Sequence, residues 1–266
     1  MTDITLADIS EFQTSIDADA YIAGGHRALI CRVHNGYRAD HMMPARGVYL
    51  RGKPFEALGW YQYLASGRDA ATQAREFCAT VGALRQNEFA VLDLEEGPGD
   101  QIPRAEAWFA VVDQWAGFQA SLYSGASFLR TQLGGPARWG QRPLWIASYP
   151  GSYQPVPALE PAGADWWQYT DRARFPGLAG GVDGSIYHGT ATQFLQVVRL
   201  GAAPPEPPPF QPFYIYIGDE MIAVAQNKDG RLELFVEKSS TGEIVHKWQV
   251  EPNGKWTDKW ASMGKP

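Results

Sequence analysis

Carboxylate side chains cluster at the end of one strand-like run in this 266-residue sequence. The run FAVLDLEEG (89–97) begins with apolar residues and ends in three acids and a glycine. Side chains of a β-strand alternate between faces, so Asp93 and Glu95 point the same way, with Cβ atoms roughly 7 Å apart. Their repulsion raises the pKa of one carboxyl, which is how an acid and a base arise from similar groups. A solvated strand end explains the same residues, so the rest of the chain must decide.

Composition narrows the classes of ligand. The chain has 23 Lys and Arg against 29 Asp and Glu, a formal net charge of −6, and no basic cluster, which argues against a nucleic-acid partner. Ten tryptophans supply rings that can stack on the C–H faces of neutral sugars. The cysteines, Cys31 and Cys78, lack metal-like spacing and are expected to be free thiols, and no motif implies a cofactor or a metal.

The start of the chain and its apolar runs bear on localisation. Residues 1–20 are acidic and contain no apolar signal-peptide core, and no run approaches transmembrane length. We therefore expect no signal peptide and no membrane partner.

Eight strand-like runs occur before residue 200, and helical patterns follow several of them. This succession predicts an α/β fold, a closed TIM-like barrel in which late strands could run antiparallel. The predicted strands are 4–10, 27–33, 56–64, 88–94, 118–123, 143–148, 165–170 and 182–187. The predicted helices are 15–23, 69–84, 103–115, one from about 127, and 190–200.

The chemistry of such barrels lies where the C-terminal ends of the strands meet. Several acidic, aromatic and amide side chains fall at or near these ends, whereas Asp183 lies at the start of its strand. The residues near strand ends are Asp8, Asp93, Glu95, Trp145, Tyr149, Trp167, Gln168 and Tyr169.

Beyond residue 201 the pattern changes. Residues 202–209, AAPPEPPP, are typical of a stiff linker. Residues 210–266 contain short strand-like runs with turns between them, a small β-meander with few residues for a core of its own. We therefore predict a barrel over 1–201, a linker over 202–209 and a small β module over 210–266.

Five motifs resemble glycoside hydrolase family 25, the N-acetylmuramidases known as Chalaropsis-type lysozymes. They occur in order over residues 5–200: DIS with Gln13, DLE at 93–95, PLWIASY at 143–149, WWQYT at 166–170 and GGVDGSIYHG at 180–189. The resemblance implies a flattened, irregular β/α barrel. It also implies a peptidoglycan hydrolase that cleaves the β-1,4 bond between N-acetylmuramic acid and N-acetylglucosamine.

The resemblance implies roles for the acids. Glu95 would be the general acid that protonates the leaving oxygen. Asp93 would be its partner carboxylate, which stabilises positive charge in the transition state or orients the substrate N-acetyl group. Asp8 and Asp183 match two further acids of the groove. Whether a carboxylate or the substrate's acetamido oxygen is the nucleophile stays open.

The resemblance also implies substrate-binding residues. Tyr123 and Tyr149 match aromatic positions of the family's site, Trp145 and Trp167 resemble floor or wall aromatics, and Gln168 lies beside them at a strand end. Because neighbours in a strand face opposite ways, at most one of Trp166 and Trp167 reaches the groove, and we expect Trp167.

The C-terminal segment resembles one repeat of the tectonin-like, fucose-lectin-type β-propellers, through AVAQNKDGRLELFVEKSSTGEIVHKWQVEPNGKWTDKW. One blade cannot close a propeller. We therefore expect the segment to form a homo-oligomer or to pack on the barrel, and to bind a glycan or the cell wall.

Three interpretations of function stay open. The first is a lysozyme with a wall-binding module, expected to be a phage lysin that is made in the host cytoplasm and then released to the wall. A cytosolic bacterial protein with an unconventional exit fits the same features equally. The second is a non-catalytic glycan-binding protein on a hydrolase scaffold, against which the retention of Asp93 and Glu95 speaks. The third is a hydrolase of another N-acetylglucosamine polymer.

Overall fold

The computed structural model of the protein describes residues 3–151, 155, 157–201, 213–217, 220–226, 231–238, 240–251 and 254–264. The chain divides into two compact units, Met1–Ala203 and Pro204–Pro266. The predicted linker, 202–209, lies outside the described residues.

The first unit is a closed barrel, with eight strands in the residues that the structure describes. These are β1 (Ile4–Ile9), β2 (Ala28–His34), β3 (Ala57–Tyr63), β4 (Glu88–Asp93), β5 (Ser121–Gly125), β6 (Leu144–Ala147), β7 (Trp166–Ala173) and β8 (Val182–Tyr187). Each of the strands β1 to β6 pairs in parallel with the next, and β8 closes the barrel by pairing antiparallel with both β7 and β1. The predicted α/β barrel with a late antiparallel strand is confirmed.

Helices follow most of the strands. They are α1 (Ala18–Ala23), α2 (Met43–Arg51), α3 (Ala70–Val81), α4 (Ile102–Ala116), α5 (Ala126–Gln132) and α6 (Ala191–Val198), with short 3-10 helices at Pro136–Trp139 and Pro157–Leu159. Sequence reasoning missed α2, because Gly47 interrupts its apolar pattern and its N-cap residue, Met42, makes no side-chain capping bond. In the described ranges no helix is long and apolar enough to cross a membrane.

Side chains alternate along each strand between the helix layer and the barrel interior. The interior is apolar at the N-terminal end of the strands, where Phe194 of α6 packs edge-on against Phe89 and Trp166, with ring centroids 5.5 and 5.2 Å apart. A capping box between Thr190 and Gln193 begins α6. The apolar plug leaves the opposite, C-terminal end of the interior to polar side chains.

The second unit contains an antiparallel sheet, described over five strands in the spatial order β13-β12-β11-β10-β9. They are β9 (Phe213–Ile217), β10 (Glu220–Gln226), β11 (Leu232–Lys238), β12 (Glu243–Trp248) and β13 (Ala261–Gly264). Each strand of the sheet therefore pairs with its neighbour in sequence, which is a meander.

Candidate active site

Asp93 and Glu95 both face the polar end of the barrel interior. Asp93 is the last residue of β4, and the extended course continues because the Leu94 N–H donates to Tyr123 O at 3.1 Å. The Ser124 hydroxyl donates to Leu94 O at 2.8 Å, and Leu94 itself is fully buried on the helix side. The two carboxyls on either side of Leu94 therefore share a face, as strand alternation requires.

The carboxyls of Asp93 and Glu95 are joined by a hydrogen bond. Burial raises the pKa of Asp93 well above its usual range, and the neighbouring Glu95 raises it further. Glu95 is exposed at the mouth, yet partial desolvation raises its pKa too, while the bond from Asp93 opposes that rise. The pair therefore holds a proton more readily than either carboxyl would in water. No described residue hydrogen-bonds to the buried Asp93 Oδ1.

Asp8 and Asp183 form a second pair of carboxyls. They lie directly opposite each other in the antiparallel ladder between β1 and β8. Because β8 runs against the other strands, its start lies at their C-terminal ends, which explains why Asp183 begins its strand and still reaches the site. Burial and then Asp183 raise the pKa of Asp8 well above its usual range. Burial raises the pKa of Asp183, and its hydrogen bond with Asp8 opposes the rise.

Gln168, fully enclosed on β7, connects the tyrosines to Asp8. Its side-chain oxygen accepts hydrogen bonds from the hydroxyls of Tyr123, at 2.7 Å, and Tyr149, at 2.6 Å. Its Nε2 donates to Asp8 Oδ2 at 2.9 Å. Two donors on the oxygen fix the orientation of the amide, so the nitrogen must face Asp8.

These side chains line a cavity of about 280 Å³ at the C-terminal ends of the strands. Its floor includes Trp145, whose indole lies 4.3 Å from the Tyr123 ring and donates from Nε1 to the Ser185 hydroxyl at 3.0 Å. The lining residues are Asp8, Ser10, Phe12, Arg32, Tyr61, Tyr63, Asp93, Glu95, Tyr123, Trp145, Gln168 and Asp183. Among the described residues, no group of three His, Cys, Asp or Glu side chains is arranged to hold a metal ion.

Most of the predicted site residues come together here, but Trp167 does not. Trp167 is fully buried on the opposite face of β7, where it packs with Tyr169 and Ile186 and donates from Nε1 to Ser148 O at 2.8 Å. The reason is alternation: Gln168 faces the cavity, so it shares its face with Trp166 and not with Trp167. Trp166 lies deeper in the interior, stacked 5.8 Å from Trp145. Tyr149, half exposed, adjoins the cavity through Gln168.

Sequence reasoning missed five lining residues as parts of the site. Tyr61 and Tyr63 end β3, and the register that pairs Tyr63 with Asp93 carries Tyr63 to the site. Alternation within β3 could have found both tyrosines. Alternation within β2 likewise places Arg32 on the interior face, and Arg32 is the one cation among the described lining residues. Ser10 and Phe12 lie on the turn after β1, where side chains do not alternate as they do along a strand, so alternation could not have found them.

The chain matches the model of the glycosyl hydrolases family 25 over residues 7–178. It therefore belongs to this family. The matched residues include Asp8, Asp93 and Glu95, whereas Asp183 lies just beyond them.

Curated relatives match about half of the chain. The uncharacterized protein YegX of Escherichia coli K12 is 32% identical over 139 residues, which is 51% of this chain and 49% of the relative. YegX of Escherichia coli O157:H7 is 33% identical over 136 residues, 50% of this chain and 48% of the relative. The chain thus spans about half the length of the curated relatives that it matches.

Solved structures share the fold of the barrel. A bacterial lysozyme from Streptomyces coelicolor has a TM-score of 0.63 at 19% identity, over 76% of this chain and 100% of the other. The catalytic domain of endolysin ply40, from bacteriophage P40 of Listeria monocytogenes, has a TM-score of 0.60 at 23% identity, over 73% and 98%. A family 25 glycosyl hydrolase from Bacillus anthracis has a TM-score of 0.63 at 16% identity, over 73% and 93%.

Proposed function

We propose that this protein is a peptidoglycan hydrolase of the lysozyme type. It cleaves the β-1,4 bond between N-acetylmuramic acid and N-acetylglucosamine. The observation that carries the proposal is the hydrogen-bonded pair of Asp93 and Glu95 in an aromatic-walled cavity. Membership of a family of glycosyl hydrolases supports it.

In this mechanism Glu95 is the general acid. The proton that the pair shares lies on Glu95 in the reacting complex, and Glu95 gives it to the leaving glycosidic oxygen. Asp93 is then anionic at the moment when positive charge develops on the sugar, which it stabilises electrostatically. The unpaired Asp93 Oδ1 supports a second task, accepting the N–H of the substrate's acetamido group, which turns that group towards the reacting carbon.

The second pair of acids and Gln168 complete the groove. Asp8 and Asp183 place two further carboxyls beside the reacting sugar. The walls of the groove are formed by Tyr123, Tyr149 and Trp145. A neutral sugar fits these walls because aromatic rings and hydrogen-bonding groups alternate around the cavity.

A wall-clearing assay tests the proposal. The intact protein is expected to clear a suspension of purified bacterial sacculi, and Glu95→Gln is expected to lower the rate by about 10² to 10⁴. Mass spectrometry of the products decides the bond: reducing N-acetylmuramic acid ends support the proposal. Reducing N-acetylglucosamine ends would show that the other glycosidic bond of the same polymer is cut, which would contradict the proposed bond. Cleavage of chitin oligomers only would point to another amino-sugar polymer. Binding to sacculi without lysis would point to a non-catalytic glycan-binding protein.

We also propose that the second unit binds a glycan of the cell wall. On one face of its sheet, Phe235 stacks on His246 at 5.8 Å and His246 lies 4.9 Å from Trp248. Glu233, on the same face, forms an ion pair with His246. Rings beside polar groups suit a sugar. Trp248→Ala in the Glu95→Gln background is expected to weaken pull-down on sacculi, with Val250→Ala as the exposed control, and unchanged pull-down would contradict the proposal.

Two further parts of the proposal concern assembly and origin. Among the described strands, β9 and β13 lie at the two edges of the meander, and sheet edges favour association of this unit with a second copy. Sedimentation of the full-length chain tests the homo-oligomer.

The proposed role as a phage lysin predicts lysis only when a membrane-permeabilising protein is co-expressed in the host.

A further inference from the structure

Phe12 is a large apolar side chain that stays in water beside the acids. It is 76% exposed and lines the same cavity as Asp93 and Glu95. Single exposed apolar residues are ordinary on protein surfaces, so exposure alone explains nothing. Phe12, however, lies at the mouth of a cavity that is large enough for a ligand, and this position points to a role in binding.

The turn that carries Phe12 is held by several hydrogen bonds. The backbone N–H of Ser10 donates to the side-chain oxygen of Gln13 at 2.8 Å, and the N–H of Phe12 donates to the Ser10 hydroxyl at 3.3 Å. Arg46, buried beneath, donates to the carbonyls of Ser10 and Gln13. The ring therefore projects from a fixed backbone.

The residue before Phe12 anchors the turn from the other side. Glu11 is 8% exposed and accepts hydrogen bonds from both terminal nitrogens of Arg38 at 2.9 Å. It also pairs with His41 at 2.6 Å and with Arg32 at 3.4 Å. The polar groups around Phe12 thus hold the turn in place and leave the ring free for a ligand.

One face of the Phe12 ring is occupied. The guanidinium carbon of Arg32 lies 5.3 Å from the ring centroid, and Asp40 fixes that guanidinium through Nε at 3.0 and 3.1 Å. A cation over the ring orients it and restricts its rotation. The exposed area of the side chain is therefore on the outer face and the edge of the ring. These form a flat apolar platform at the mouth of the cavity.

We propose that Phe12 is the stacking platform of a sugar-binding subsite next to the acids. Its ligand is the pyranose ring of a glycan residue that flanks the bond to be cleaved, with the C–H face of the sugar on the outer face of the phenyl ring. This inference rests on the proposed function of the cavity. The site is expected to bind this sugar equally in the ground state and the transition state, because the phenyl ring has no group that can take part in proton transfer.

A kinetic and a binding measurement on the full chain test the subsite. The substrate is a soluble, uncrosslinked tetrasaccharide of alternating N-acetylglucosamine and N-acetylmuramic acid. Phe12→Ala is expected to raise KM by about tenfold with kcat within about twofold, since lost uniform binding appears in KM. Phe12→Tyr, which keeps the ring, is expected to restore KM. Val48→Ala, an equally exposed apolar residue on α2, is the matched control.

Binding is measured separately in the Glu95→Gln background, by calorimetry with the same tetrasaccharide. Phe12→Ala is expected to weaken it by about the same factor as KM rises. An unchanged KM and affinity in Phe12→Ala, with the parent binding and cleaving normally, would overturn the subsite alone. A fall in kcat at constant KM would also overturn it, because that result assigns Phe12 to the chemical step. A parent chain that neither binds nor cleaves the tetrasaccharide would overturn the proposed function and the subsite together.

Discussion

Gln168 donates a hydrogen bond to Asp8 across the barrel mouth, from Nε2 to Oδ2 at 2.9 Å, although 160 positions separate the two residues in the chain. The bond has a direction, because the tyrosine hydroxyls on the amide oxygen prevent the amide from turning over. It opposes the upward shift in the pKa of Asp8 by stabilising its ionised form. Gln168 therefore fixes the orientation of Asp8 within the Asp8–Asp183 pair.

Gln168→Glu is expected to lower kcat for wall hydrolysis by about tenfold to a hundredfold, through misplacement of Asp8. The new carboxylate keeps its two tyrosine donors and cannot donate to Asp8. Tyr149→Phe is the matched control: it removes one of the two donors and is expected to cost less than about tenfold. The pH profile separates positioning from a general loss of structure, since Gln168→Glu should move its limbs and Tyr149→Phe should not. Equal losses in both variants, with unmoved limbs, would contradict this role.

Asp93, at the end of β4, and Glu95, two residues later, show what the sequence could predict. Strand alternation alone assigned Asp93 and Glu95 to one face, because it needs only a local period. The same rule, applied to β7, contradicts the expectation for Trp167, since Gln168 and Trp167 are neighbours and cannot both face the cavity. The prediction used alternation to separate Trp166 from Trp167 but did not apply it to Trp167 and Gln168, both of which it placed in the groove.

Other features needed the tertiary structure. Asp183, at the start of β8, reaches the site only because β8 runs antiparallel to its neighbours. The direction of the strand is set by its pairing, which the local sequence does not show. Helix α2 forms because Met43 and Leu50 are buried against the barrel, which outweighs its interior Gly47. The turn with Phe12 is held by Arg46 and Arg38 from elsewhere in the chain, so no local pattern could reveal a rigid exposed ring.

Arg32 is expected to shift the basic limb of the pH–rate profile modestly to lower pH. Its charge lowers the pKa of Asp93, against the stronger upward effects of burial and of Glu95. The proposed mechanism needs one proton on the Asp93–Glu95 pair, so activity falls as pH rises and that proton is lost. Arg32→Gln removes the lowering effect and should move the basic limb of kcat/KM to higher pH. Arg75→Gln, an exposed arginine on α3, is the control, and a limb that moves to lower pH would contradict the assignment.

The buried carboxyls are expected to destabilise the fold at neutral pH. The folded-state pKa values of Asp93 and Asp8 are raised above their unfolded value near 3.8. The folded state therefore holds protons that the unfolded state releases, and the stability they contribute is complete below that value and is lost as pH rises through the folded pKa. Asp93→Asn is neutral at all pH values, so it should raise Tm relative to the parent at pH 8 and much less at pH 4. Thermal unfolding at both values measures this, and a Tm gain that is larger at pH 4 would contradict it.

Glu11 should give the opposite dependence on pH. Hydrogen bonds from Arg38 and then His41 lower its pKa from 4.5 to about 2, against the effect of burial. A lowered folded pKa contributes stability that is present above the unfolded value and is lost as pH falls through the folded one. Glu11→Gln keeps the size of the side chain and lacks the charge, so it should lower Tm at pH 7, with the deficit shrinking between pH 4.5 and 2. The mutation should also raise KM by loosening the turn that carries Phe12, while Glu56→Gln, half exposed in an ion pair with Arg27, should change neither quantity. A deficit in Tm that persists undiminished at pH 2 would show that Glu11 acts through packing and not through its charge.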